Sequence, residues 1–107
     1  MRRHSALAVT AAIVLAASPA FPQQVPNARS GERLARQWCA SCHLVAADQR
    51  APAPDTAPPF ASIAARPSAT PGALRTLIQM PYPRMPQIAL TRDEVEHLIA
   101  YIVSLER

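Results

Sequence analysis

Lysine is absent from this chain of 107 residues; all 11 basic side chains are arginines. Long apolar runs are absent too. The longest usable one, Ala6 to Ala17, covers 12 residues, short of the ~20 that span a bilayer. Histidine is scarce. After the first 20 residues only His43 and His97 remain, so a zinc site, which takes about four ligands, would find besides His43 only one further histidine. Cysteine occurs twice, at Cys39 and Cys42. Charge of one sign is not in excess: from residue 21 onward the balance is +2, which argues against nucleic acid as a partner. Large apolar side chains are few, 23 in the 87 residues from Phe21 to Arg107. A domain of that size is marginal unless something staples it or adds to its core.

The beginning of the chain has the pattern of an export leader. Met1-Arg2-Arg3-His4 is positive, Ala6 to Ala17 is apolar, and Ser18-Pro19-Ala20 places small residues where a signal peptidase reads. Residues 1–20 are therefore expected to be a cleaved secretory signal, with an uncleaved anchor as the alternative. No cysteine lies at the cut, and the rest of a twin-arginine motif does not follow Arg2-Arg3.

Cys39-Ala40-Ser41-Cys42-His43 organises the remainder. It reads C-x-x-C-H, the attachment signature of a c-type haem. Two thiols three positions apart can each bond one vinyl group, and the following histidine can offer an imidazole nitrogen to the iron. Cys39, Cys42 and His43 are thus the expected haem-binding residues, with His43 the proximal iron ligand. The competing reading is a disulfide or thioredoxin-like redox pair. That motif follows a strand and opens a helix, whereas the residues before Cys39 read as helix.

The order of elements follows from caps and breakers. Residues 21–29, with Pro22 and Pro26, form an extended lead-in. A helix starts near Asn27 or Ser30, either of which can cap it, and runs through Leu34 and Trp38 on a shared face. Gly31 in this helix means either a close helix contact or a harmless place in the first turn. Residues 44–59, rich in proline, make a loop in which the carbonyl of Pro58 or Pro59 can accept from His43. Phe60 to Arg66 is a short helix. Thr70 caps another, with Pro71 at its first position and Leu74, Leu77 and Ile78 on one face, ending before Pro81. Residues 80–86 are irregular. Thr91 and Glu94 form a capping box for a last helix whose stripe is Val95, Leu98, Ile99, Ile102 and Leu105. His97 falls off that stripe and reads as a solvated residue. Arg107 sits at the negative end of the dipole.

From Ser30 to Arg107 these features resemble the class I c-type cytochromes: the Gly31 helix running into CASCH, Pro58-Pro59-Phe60, Met85-Pro86, and a last helix with Ala100-Tyr101-Ile102. The resemblance implies an all-α cytochrome c fold. Three to four helices pack around one covalently bound haem c, and the N- and C-terminal helices cross with Gly31 near Tyr101. It implies a domain over 30–107, a distal methionine ligand in the loop before the last helix, and one-electron transfer without enzymatic turnover. Met85 is the expected distal ligand, because Pro83 and Pro86 fix the backbone around it. Met80, also followed by proline, is the second choice and suits a core role near the end of its helix. The lysine ring that some members use for docking is missing; Arg84 stands near the expected haem rim.

The resulting expectation is a periplasmic electron carrier whose partners are a donor dehydrogenase and an acceptor oxidase or reductase, either free or within a complex. Nucleic acid is not an expected partner, nor is a membrane span after cleavage. Two alternatives belong to other classes: a five-coordinate haem protein that binds gas or peroxide, and a thiol–disulfide oxidoreductase using Cys39 and Cys42.

Overall fold

In the computed structural model, which describes residues 11–50, 57–80 and 82–106, four helices are present and no strand occurs among the described residues. They are α1 (Ala28–Trp38), α2 (Phe60–Ala64), α3 (Pro71–Gln79) and α4 (Arg92–Ser104). Each of the first three packs on α4, and α1 does so most extensively. The all-α class expected from the sequence is the observed one.

The caps are local chemistry. Asn27, in an extended conformation, accepts the Ser30 N–H on its side chain at 3.0 Å. It satisfies one of the donors that every helix N-terminus leaves open. Thr70 does the same for Ala73 at 3.2 Å, with Pro71 at the first helical position. At α4 the Thr91 hydroxyl accepts from Glu94 N–H at 3.2 Å, and the Glu94 carboxylate accepts from Thr91 N–H at 2.8 Å. That reciprocal pair is a complete capping box.

The buried face of α1 differs from the expected one. Gly31 and Ala35 are buried, and Cys39 continues the same four-residue spacing just past the helix end. Leu34 is only partly buried, and Trp38 is 47% exposed. The small ridge is what brings α1 close to α4. A Cβ at Gly31 would lie 2.7 Å from the Tyr101 Cβ, so of the two readings of this glycine the close helix contact is the one realised.

On α4, Val95, Leu98, Ile99, Tyr101 and Ile102 are buried, and Leu105 packs at the margin of the core. Leu74 and Ile78 of α3 and Phe60 and Ala64 of α2 complete the same cluster, while Leu77 stays 39% exposed. His97 corrects the sequence reading: it is buried, 8% exposed, rather than solvated. Its Nδ1 accepts the Asn27 N–H at 2.9 Å, and its Nε2 lies 3.3 Å from Gln24 Oε1. The lead-in folds back across α4 and covers the ring. Between the lead-in and α1 there is no gap: the extended chain ends at Asn27 and Ala28 already belongs to the helix.

Residues 11–27 have no regular secondary structure, and all are exposed. No described helix is long and apolar enough to cross a membrane. The positive start of the leader, Pro52, Pro54, Pro81 and Arg107 fall outside the described residues.

Candidate haem-attachment site

The motif sits where α1 runs out. Cys39 donates its backbone N–H to Ala35 O at 2.8 Å, and His43 and Cys42 donate theirs to Cys39 O at 2.8 and 3.1 Å. One further turn therefore carries both thiols and the imidazole. Cys39 is buried and Cys42 exposed, and both are free thiols. Burial pushes the Cys39 thiol up to about 11. A dithiol enzyme needs the opposite, a thiol depressed toward ambient pH.

His43 is held by its second nitrogen. Nδ1 lies 2.7 Å from Pro58 O. A carbonyl only accepts, so Nδ1 carries a proton, and in the neutral imidazole Nε2 is then the nitrogen with the lone pair. This is the arrangement that orients an imidazole ligand and raises its basicity toward a metal. Of the two prolines offered by the sequence, Pro58 is the acceptor; the Pro59 carbonyl instead accepts from Ile63 N–H at 3.0 Å, in the first turn of α2. Phe60 packs beside the imidazole, ring centroids 5.2 Å apart, and Tyr101 stands 6.4 Å behind Phe60.

The loop after His43 is anchored by bonds that periodicity and motif do not signal. Gln49 accepts from Val45 N–H at 2.9 Å and donates to Ala40 O and His43 O at 3.1 and 3.2 Å. Tyr101 donates its hydroxyl to Val45 O at 2.6 Å. Asp48 binds Arg36 of α1, which also pairs with Glu32. The Arg36 guanidinium holds the Asp48 carboxyl below the usual carboxylate range.

Met85 lies in a tight turn. Its N–H donates to Tyr82 O at 3.1 Å, and the two residues form an isolated antiparallel bridge. Met85 is half-buried; Met80, the C-cap just past α3, is 56% exposed. Arg84 is exposed beside it. A cavity of about 400 Å³ lies between the end of α3, residues 87–90 and Val95; none of its lining residues belongs to the motif.

The side chains fit a covalently held haem. Two free thiols precede an imidazole with its outer nitrogen available. Trp38, Leu44, Leu77, Met80 and Tyr82, close in the chain to the motif or to the Met85 turn, each keep more than a third of their surface exposed, apolar area that a large flat cofactor can cover.

Comparison with known proteins agrees. The family described as Cytochrome C oxidase, cbb3-type, subunit III matches residues 26–102. Cytochrome c-552 of Bradyrhizobium diazoefficiens is 39% identical over 93 residues, which cover 87% of this chain and 88% of that relative. No solved structure gives a match. With the match extending from the cap of α1 through most of α4, the chain belongs to this family of c-type cytochromes, electron-transfer proteins that carry covalently bound haem c.

Proposed function

We propose that this protein is a periplasmic carrier of single electrons, with Cys39 and Cys42 as the thioether attachments, His43 as the proximal iron ligand and Met85 as the distal one. The observation that carries the reading is the bond between His43 Nδ1 and Pro58 O. It fixes the tautomer in which Nε2 is free to bind iron. The haem, when bound, supplies a one-electron iron couple, and ligation by His and Met raises its potential. The protein residues hold the imidazole, cover the cofactor and leave one edge accessible. Ser41 and Cys42 are exposed, which supports the attachment edge as the place where electrons enter and leave.

The half-buried Met85 in its hydrogen-bonded turn supports the choice over the more exposed Met80. The leader over residues 1–20 supports export, with residues 30–107 as the working domain after a short lead-in. The donor is a dehydrogenase and the acceptor an oxidase or reductase. The name of the matching family, a subunit of an oxidase, supports the oxidase as acceptor and a place within or beside such a complex.

The test is expression with the leader and a cytochrome c maturation system. The periplasmic fraction should hold a protein that keeps haem after boiling in detergent, and Cys39→Ala with Cys42→Ala should lose it. The reduced form should not react with carbon monoxide, because His43 and Met85 would both hold the iron. Haem released by denaturation would refute attachment; rapid carbon monoxide binding would refute two-ligand closure.

A further inference from the structure

In the turn that carries the motif, the Cys39 carbonyl accepts from Cys42 and His43 N–H, and one side chain takes the carbonyls of Ala40 and His43. Gln49 reaches back six residues to His43 and nine to Ala40, donating to both carbonyls while accepting from Val45 N–H. The three partners demand one acceptor and two donors from the same group. A primary amide supplies that set, and only one orientation of the amide satisfies all three. The next link is also fixed from both sides: Val45, 1% exposed, has its N–H on Gln49 and its carbonyl on the Tyr101 hydroxyl. Asp48, beside Gln49, is bound to Arg36 on α1. The loop is thereby tied to α1, to α4 and to the motif at one place.

We propose that Gln49 is the positioning residue for the iron ligand: it sets the backbone of His43, as Pro58 sets its ring. The two restraints act on different atoms. Pro58 O holds Nδ1 and so fixes rotation about the side-chain bonds. Gln49 Nε2 holds the carbonyl of the same residue and so fixes where those bonds begin. With the backbone end released, the ring can pivot about its bond to Pro58, and the plane of the imidazole over the haem changes. The inference rests on His43 as the proximal ligand.

Two variants of the haem-loaded protein separate the halves of the clamp. Gln49→Glu keeps an acceptor for Val45 N–H but replaces both donors with oxygen. Gln49→Met has similar volume and no hydrogen-bonding group of comparable strength. Proton NMR of the oxidised protein reads the ring plane, through the order and spread of the haem methyl shifts. Amide exchange at Val45 reads the acceptor half. Both variants should change the methyl pattern. Only Gln49→Met should speed Val45 exchange, by about tenfold, the effect of one lost hydrogen bond. Should Gln49→Met fail to fold, Gln49→Glu still decides the matter through the methyl shifts. A wild-type methyl pattern in Gln49→Glu overturns the positioning role. The wild-type protein reports separately on the ligand: absence of strongly shifted His43 ring protons would overturn the ligation reading itself, whatever the variants do.

Discussion

Gly31 of α1 lies against the backbone of His97 on α4. A methyl group added at Gly31 would come within 2.6 Å of the His97 carbonyl carbon and 2.7 Å of the Tyr101 Cβ. The first obstacle is main chain in the middle of a helix, which cannot swing aside as a side-chain tip can. The helix crossing depends on this contact, and the position of the motif depends on the crossing, because Cys39 follows directly from the end of α1.

Gly31→Ala should therefore destabilise the folded protein despite the better helix propensity of alanine. Overpacking costs typically run to ~3 kcal/mol, and a backbone obstacle places this change at or above that end. Gly72→Ala is the control. Nothing lies within 4 Å of its added methyl, so it should be neutral or stabilise by up to about 1 kcal/mol. Denaturant titration of both haem-loaded variants checks the contrast. Equal stability for the two would show that α1 can move away from α4 at little cost.

His97→Ala should weaken the start of α1 rather than the centre of the core. It removes the acceptor for Asn27 N–H, and Asn27 is also the residue whose side chain caps the helix. The bond is only part-buried, so its loss costs about 0.5–1.5 kcal/mol. Faster amide exchange at Asn27 and earlier proteolysis near residues 21–27 are the expected signs. Unchanged exchange at Asn27 would mean that the imidazole bond carries little.

The contrast between these two positions shows which parts of the fold were legible in the sequence. Local chemistry was: Asn27, Thr70 and Thr91 cap helices because short polar side chains reach the next N–H groups, and Pro71 suits a first turn. The Pro58 acceptor was legible as one of two, because the ligand histidine needs a carbonyl partner. His97 was not. Helical periodicity reports which face of α4 meets other helices, but its ring is covered by an extended segment 70 residues earlier in the chain. Gln49 escaped for a related reason. Its bonds to Ala40, His43 and Val45 follow from how a loop folds back on itself, and no spacing rule describes that. Trp38 was misleading because a large apolar residue at helical spacing suggests core, whereas α1 buries its small residues to approach α4.

The pairing of α3 with α4 gives an acid response. Arg75 donates to both oxygens of Glu96, at 2.6 and 3.0 Å. That hydrogen-bonded ion pair lowers the Glu96 carboxyl from its ordinary value of 4.5. A carboxyl lowered in the folded state stabilises above its unfolded pKa, and the contribution disappears as pH falls through the folded value. Stability should thus be level near neutrality and decline below about pH 4.5. Arg75→Met should reduce that decline and cost little at pH 7, since the pair is partly exposed. Denaturation midpoints between pH 3 and pH 7 measure it; an acid decline unaltered by Arg75→Met would remove this pair as a cause.

The distal ligand is the last prediction. Met85 precedes Pro86, and a residue before proline is biased toward extended backbone. Its N–H is already committed to Tyr82 O at 3.1 Å, so the turn is held from within. Such a turn can present a long, soft side chain in one direction. A thioether is neutral and favours reduced iron, which raises the potential. Met85→Ala should lower the potential, admit carbon monoxide to the reduced iron, and remove the weak far-red absorption of the oxidised Met-ligated form. Met80→Leu should leave all three nearly unchanged. Met80 terminates α3 with more than half its surface exposed, and a volume-conserving swap there costs less than ~1.5 kcal/mol. Redox titration and absorption spectra of the two variants decide the assignment. Sensitivity at Met80 with silence at Met85 would reverse it. Silence at both, with carbon monoxide already binding the wild type, would point to an open iron site and to chemistry with gas or peroxide.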